Sequence, residues 1–186
     1  MLRSIIATIS LAQTLVIVSY FAYCFSSGPT VSSLLFSNLV YKCLLMVCVV
    51  LQLTLSFVYV CCHNGARVAP ELLLVVAPVA WIVLNISHED ANGKILLEHL
   101  VAAGCFIVAS GLYLIILFIE TIYNEPMVSD LLCVSGGCIV FALVATIATV
   151  VCFFTNRTDT WIFEHTAFAL FSATHALLFY IGIQNK

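Results

Sequence analysis

The segment WIFEHTAFALFSATHALLFY, residues 161–180, is long and apolar enough to cross a membrane. A transmembrane helix needs about 20 predominantly apolar residues to span a hydrocarbon core about 30 Å thick. The segment nevertheless contains three ionisable side chains, Glu164, His165 and His175. Because polar groups are costly in lipid, we expect a side chain at this depth to face other helices or a hydrated cavity.

Five further apolar segments predict an all-α, polytopic membrane protein built as a bundle of six transmembrane helices. Of the 186 residues, 63% are hydrophobic and 8% are charged, a composition far from that of soluble domains. The predicted spans form one membrane domain, residues 1–186, and cover residues 4–25, 40–62, 68–86, 96–123, 128–154 and 161–183. The first span is too long for the apolar region of a signal peptide, so we interpret it as a retained helix.

The number of basic residues and the spacing of potential metal ligands limit the kinds of partner that this protein can bind. Six Lys and Arg residues are too few for a nucleic-acid-binding or polybasic lipid-binding surface. The nine cysteines include no CxxC pair and no HExxH sequence occurs, so we predict no metal site and no cofactor. Membrane lipids, membrane-embedded substrates and other membrane proteins remain as partners.

Six spans place both termini on one side of the membrane, and two N-glycosylation sequons fall on the other side. The sequons begin at Asn85 and Asn156, which makes these two residues candidate glycosylation sites. The distribution of Lys and Arg is too even to set the orientation. The sequons therefore favour cytosolic termini and lumenal loops after spans three and five.

Ionisable residues concentrate on this predicted lumenal side. They are His88, Glu89, Asp90, Glu98, His99, Asp159, Glu164 and His165. Glu164 and His175 are eleven residues apart, which leaves them about 20° out of phase and about 16 Å apart along a helix. The two side chains therefore share one helix face, with His175 near the bilayer midplane and His165 an ordinary interfacial residue.

Two interpretations of these residues stay open. In the first, they line a cleft in the lumenal leaflet that holds a lipid headgroup, transfers a proton or binds a metal, with a carboxylate setting the tautomer of an imidazole. In the second, they are wetted at helix ends, and His175 bonds to a neighbouring helix for packing. We also expect close helix approach at Gly104 and Gly111, and a close contact or a bend at residues 135–137. Pro70 and Pro78 are expected to bend the third span or to free a carbonyl.

The polar positions resemble those of the family of post-GPI attachment to proteins factor 2, also called FGF-receptor-activating protein 1. In that family the last helix carries a Glu, an aromatic-rich apolar run and a His, and Glu164 and His175 have the same spacing of eleven residues. The family's third and fourth helices carry a Ser, a Glu-Asp cluster and a His-Glu pair. Their counterparts here are Ser87, Glu89, Asp90, Glu98 and His99, the last two in reversed order. The resemblance covers about residues 68–183 and extends more distantly to DRAM-type autophagy modulators.

The resemblance implies lipid remodelling of GPI-anchored proteins in the Golgi or endoplasmic reticulum, either as the catalyst or as an accessory. It implies catalytic roles for Glu164 and His175. Candidate substrate-binding residues are Glu98, His99, Glu89 and Asp90. The implied partners are a membrane lipid and a GPI-anchored protein. The alternatives are a non-catalytic DRAM-type regulator of autophagy or signalling in endosomes or lysosomes, and a structural subunit of a larger membrane complex.

Overall fold

The computed structural model describes residues 1–23, 38–63, 68–87, 97–124, 129–155 and 160–184. These ranges contain helices and no strand, which confirms the all-α prediction. The helices are α1 Leu2–Tyr23, α2 Leu39–His63, α3 Val68–Ile86, α4 Leu97–Asn124, α5 Ser129–Phe154 and α6 Thr160–Gln184. Each coincides with one predicted span to within a few residues; residues 24, 25, 96 and 128 of those spans lie outside the described ranges.

Five helices, α1, α2, α4, α5 and α6, have the length and apolar composition that crossing a membrane requires. The apolar part of α3, Pro70–Ile86, is shorter and spans about 25 Å. α3 continues through Pro78; because proline has no N–H, the carbonyl of Leu74 lacks its usual helical partner. Large apolar side chains are exposed along α1 to α5, whereas most of those in α6 are buried or half-buried; an apolar surface is expected where a helix contacts lipid. The chain is therefore a helical membrane bundle.

The helices form a ring in the order α4, α3, α2, α1, α6, α5. α1 packs between α2 and α6, and α3 packs between α2 and α4, whereas α5 packs mainly against α6. α4 closes the ring through much smaller contacts with α6 and α5. The boundary between α4 and α5 is therefore the least extensively packed seam between ring neighbours, and we call it the α4–α5 seam.

An aromatic cluster joins α3, α4 and α6 across the inside of the ring. The ring centroids of Trp81 and Phe106 are 4.9 Å apart, and Phe168 lies 5.7 Å from each of them. Trp81 is completely buried. Aromatic pairs at such distances add to the energy of apolar burial, so this cluster contributes to the packing among α3, α4 and α6.

Arg3 ties three helices together at the end of the bundle that carries the termini. Its Nε donates a hydrogen bond to Tyr59 Oη of α2 at 2.6 Å, and its Nη1 donates to the carbonyl oxygen of Gly182 in α6. The guanidinium also lies 5.2 Å from the centre of the Tyr59 ring. A Cβ atom at Gly182 would overlap the guanidinium, so the glycine is what allows Arg3 to reach this carbonyl.

The glycines expected to allow close helix approach behave differently from one another. A Cβ atom at Gly136 of α5 would lie 3.0 Å from Cζ of Phe118 in α4, and one at Gly111 would lie 3.9 Å from the Phe171 ring of α6. At Gly104 and Gly137 no atom lies within 4 Å of such a Cβ. The expectation is therefore wrong for Gly104, because that position faces open space, and the tightest approach is Gly136 against Phe118.

This contact gives a stability prediction with a matched control on the next residue. Gly136→Val would force Phe118 away and open the α4–α5 seam, because added atoms in a packed site cost about 1–3 kcal/mol. Gly137→Val adds the same atoms to open space and is expected to be near neutral. Thermal unfolding in detergent measures both; equal effects of the two variants would contradict the packing of Phe118 on Gly136.

Candidate functional site

A cavity of about 60 Å³ lies inside the ring and receives side chains from every helix except α3. Glu164 lines it toward the end of the bundle away from the termini, and Ser172 and His175 line it further along α6. Its walls are mostly apolar and include Phe106 of α4 and Phe168 of α6. Glu164 and His175 thus reach one cavity, in agreement with their helical phase.

His175 is the centre of a buried hydrogen-bonded cluster. It is 2% exposed, with Nδ1 2.8 Å from Ser10 Oγ of α1 and Nε2 3.2 Å from Ser56 Oγ of α2. The rings of Tyr113 and Phe179 lie beside it, with centroids 5.8 Å and 4.9 Å away. The imidazole therefore connects α6 to α1 and α2 and has both nitrogens engaged.

The two serines also contact their own helices, which restricts the protons of the cluster. Ser10 Oγ lies 2.9 Å from the carbonyl oxygen of Ile6, and Ser56 Oγ lies 2.8 Å from that of Gln52. A hydroxyl has one proton, and a neutral imidazole has one N–H. One ring nitrogen therefore donates to one serine, and the other nitrogen accepts from the second serine, which then cannot donate to its own carbonyl.

Two glutamines complete the inner end of the cavity. Gln13 of α1 donates from Nε2 to Ser172 Oγ at 2.7 Å. The side-chain oxygens of Gln13 and Gln52 are buried and have no hydrogen-bond partner among the described residues. Both side chains line the cavity. A buried polar group without a partner costs about 1–3 kcal/mol, so these two oxygens are unsatisfied acceptors in the interior of the bundle.

The pattern of ionisable residues in the sequence does not reveal these residues, because they are uncharged. A usable signal exists: Ser10 and Gln13 are three residues apart, and Gln52 and Ser56 are four apart. Each pair therefore puts two polar groups on one face of an apolar helix. Polar residues on one face of a transmembrane helix indicate contact with another helix or with a cavity.

Glu164 is half-buried and does not act directly on His175. The two positions are about 16 Å apart along α6, so serines, and not a carboxylate, hold the imidazole. Thr146 and Thr149 line the same cavity from α5. Their hydroxyls donate to carbonyl oxygens of α5 itself at 2.8 and 2.9 Å. The carboxylate and the imidazole therefore mark separate parts of the cavity wall.

The predicted substrate-binding residues of α4 do not line this cavity. His99 is buried and its Nδ1–H donates to the carbonyl oxygen of Ser87 at 2.6 Å, which ties the start of α4 to the end of α3. Glu98 is exposed. Glu89 and Asp90 lie outside the described residues. The structure therefore gives His99 a packing role between α3 and α4.

Of the two candidate glycosylation sites, Asn85 lies within the described residues and Asn156 does not. Asn85 is 6% exposed, and its Nδ2 donates to the carbonyl oxygen of Trp81 at 2.8 Å. Its backbone oxygen accepts a hydrogen bond from Lys42 Nζ at 2.8 Å. A glycan needs an accessible amide nitrogen, so this geometry argues against modification of Asn85. Asn156 lies outside the described residues.

His165 is buried rather than wetted at the interface. It is 1% exposed, and its Nδ1–H donates to the carbonyl oxygen of Trp161 at 2.8 Å. Phe21 of α1 packs against it with ring centroids 5.6 Å apart. The expectation of an interfacial residue is wrong because α1 covers this face of α6.

No group of three or more His, Cys, Asp or Glu side chains suited to a metal ion occurs in the part of the chain that the structure describes. Comparison with protein-family models, curated proteins and solved structures gave no match to this chain.

The His175 cluster gives a prediction for stability. A double-mutant cycle of Ser10→Ala and His175→Leu is expected to show a coupling of about 0.6 kcal/mol, the average for hydrogen bonds between transmembrane helices, and at most about 1.7 kcal/mol. Thr8 is the control, because its hydroxyl donates only to the carbonyl of Ser4 on the exposed side of α1. Thr8→Val with His175→Leu should show no coupling. Unfolding in mixed detergent micelles measures both cycles, and equal coupling would contradict the cluster.

Proposed function

We propose that this protein binds a membrane lipid in the cavity inside the ring, and that it acts on or assists the lipid remodelling of GPI-anchored proteins. The observation that carries the lipid-binding part is the cavity itself, which has apolar walls and a buried polar inner end. The assignment to GPI anchors rests on the resemblance carried by Glu164 and His175.

The walls favour an acyl chain over a polar metabolite. Phe106, Phe168, Phe171 and Leu53 line the cavity, and burial of apolar surface stabilises a bound chain by about 25 cal/mol per Å². At about 60 Å³ the space holds only a few water molecules and is smaller than the roughly 150 Å³ that accepts benzene. A chain therefore requires widening of the cavity, for which the α4–α5 seam is the least costly route.

The two candidate catalytic residues have different parts in this proposal. Glu164 is half-buried on the cavity wall, so its carboxylate is placed to contact a lipid headgroup or to exchange a proton with it. His175 has both ring nitrogens on serines and reaches a substrate only if a serine is displaced. The geometry therefore supports Glu164 as the group that touches substrate and His175 as a positioning residue.

The proposal also assigns a compartment and an orientation. With the termini in the cytosol, the Glu164 end of the cavity faces the lumenal leaflet of the Golgi or endoplasmic reticulum. GPI anchors lie in that leaflet, so the carboxylate would meet the anchor at headgroup depth, and the apolar walls would take a chain from the same leaflet.

A second candidate function has one specific observation in its favour. The hydrogen bonds of His175 to Ser10 and Ser56 are what a purely packing role requires. A non-catalytic DRAM-type regulator in endosomes or lysosomes would need this rigid packing and no exchange of lipid. The two functions differ in whether Glu164 contributes to the chemistry of an anchor.

The test uses cells that lack the endogenous gene and measures surface retention and lipid composition of GPI-anchored proteins. We expect Glu164→Gln to lower remodelling about tenfold or more, the effect of losing a hydrogen bond to a charged group. Glu98→Gln is the matched control, because Glu98 is exposed and does not line the cavity. His175→Leu should lower both remodelling and thermal stability.

Normal remodelling by a folded, correctly localised Glu164→Gln variant would remove Glu164 from the site. Normal remodelling in cells without any copy of the gene would reject the GPI function altogether. A loss that is equal for Glu98→Gln and Glu164→Gln would show a general effect of charge at this end of the bundle, and would contradict the role of the cavity.

A further inference from the structure

We infer that Cys61 and Cys62 form a site of S-acylation, at which a long-chain fatty acyl group becomes attached to the protein through a thioester bond. The site lies at the end of α2, and neither cysteine lines the cavity inside the ring. The inference goes beyond the proposed function and shares with it only the cytosolic orientation of the termini.

The first argument is the exposure of the pair and the side of the membrane on which it lies. Cys61 and Cys62 are adjacent, and both side chains are exposed, although cysteine is among the residue types that are most often buried. Arg3, in the first turn of α1, donates a hydrogen bond to Tyr59 Oη. Tyr59 lies two residues before Cys61. The two thiols are therefore on the side of the membrane that carries the termini.

The second argument is depth, which follows from the other end of α2. Lys42 Nζ donates a hydrogen bond to the backbone oxygen of Asn85 at 2.8 Å, and a lysine ammonium belongs at the membrane interface rather than in the hydrocarbon core. Cys62 lies twenty residues after Lys42 on the same helix, which is about 30 Å. The hydrocarbon core is about 30 Å thick. Cys62 is therefore at the opposite interface.

The third argument is the apolar surface between the cysteines and the bilayer centre. Val58 is 41% exposed and Leu51 is 45% exposed, and they lie about 40° and 20° from Cys62 around the helix axis. Both side chains thus share the outer face of α2 with Cys62. An acyl group on this thiol would extend from the interface along that face into the bilayer, so its methylene groups stay in apolar surroundings.

The reaction requires an acyl thioester as donor, such as a long-chain acyl-coenzyme A from the cytosol. The cysteine thiolate attacks the carbonyl carbon of the donor and forms a new carbon–sulfur bond. The bond from that carbon to the sulfur of coenzyme A breaks, and coenzyme A leaves as a thiol with the proton that the cysteine lost. Nothing is oxidised or reduced. The catalyst is a membrane acyltransferase that faces the cytosol, since juxtamembrane cysteines are sites of reversible S-acylation.

Two other exposed cysteines serve as matched controls. Cys43 is exposed on the same helix, but it follows Lys42 directly and therefore lies at the opposite interface. Cys133 is exposed four residues inside α5, about 6 Å from the start of that helix. Cys43 thus tests the side of the membrane, and Cys133 tests whether exposure alone is sufficient.

The experiment expresses the full-length protein in cultured animal cells and counts acylated cysteines by acyl–PEG exchange. Free thiols are blocked with N-ethylmaleimide, and thioesters are then cleaved with neutral hydroxylamine. Maleimide-PEG couples to the thiols released in this way, and each PEG group retards the protein by one step in gel electrophoresis. We expect a shift of one or two steps in the unmodified protein, and no shift when hydroxylamine is omitted.

The double variant Cys61→Ser with Cys62→Ser should lose the shift completely, whereas Cys43→Ser and Cys133→Ser should shift like the unmodified protein. Mass spectrometry of the unmodified protein needs no variant and remains decisive if the double variant does not fold. Trypsin cleaves after lysine and arginine, so residues 43–67 form one peptide. Its fragment ions should locate the hydroxylamine-dependent label on Cys61, Cys62 or both.

A hydroxylamine-dependent shift that is absent from the unmodified protein, or that persists in the double variant, would overturn the inference. Loss of the shift in Cys43→Ser would place acylation at the opposite interface, and would overturn both the inference and the cytosolic orientation of the termini. Acylation of Cys61 and Cys62 together with normal remodelling in cells without the gene would support this site and reject the GPI function. An unshifted protein whose Glu164→Gln variant loses remodelling would do the reverse.

Discussion

The hydrogen bonds between His175 and the serines Ser10 and Ser56 hold three helices together in the interior of the bundle. In a bilayer a polar group that loses its protein partner has no alternative. The three helices α1, α2 and α6 therefore form the part of the ring whose relative positions polar contacts determine. Arg3 adds a second connection among the same helices at the end near the termini.

The opposite part of the ring is held differently. α4 and α5 have small contacts, among them Phe118 against Gly136, and α5 depends on α6 for most of its packing. Between helices in lipid, apolar contacts gain only van der Waals energy, because lipid tails are equally apolar. The bundle thus combines one side fixed by hydrogen bonds with a seam of few contacts, and side chains from both sides line the cavity.

This division explains the different characters of the two residues that the sequence analysis singled out. His175 belongs to the fixed side and has its nitrogens on serines, whereas Glu164 lines the cavity toward the end away from the termini. The same reasoning gives importance to Gln13 and Gln52, whose oxygens are buried without a partner. A polar group in lipid is either part of the packing or part of a binding site, and the side chains of these two glutamines line the cavity.

The sequence alone determined six helices and their bounds to within a few residues, because the thickness of the hydrocarbon core sets the length of an apolar run. It also placed Glu164 and His175 on one face, since helical phase is a local property. It did not identify Ser10 and Ser56 as partners of His175, because these serines are 165 and 119 residues away from His175 in sequence. It also did not predict that α1 buries His165. Only the tertiary structure decided these contacts. A helix that is apolar on every side has no single apolar face, so its sequence does not indicate which face packs against which neighbour.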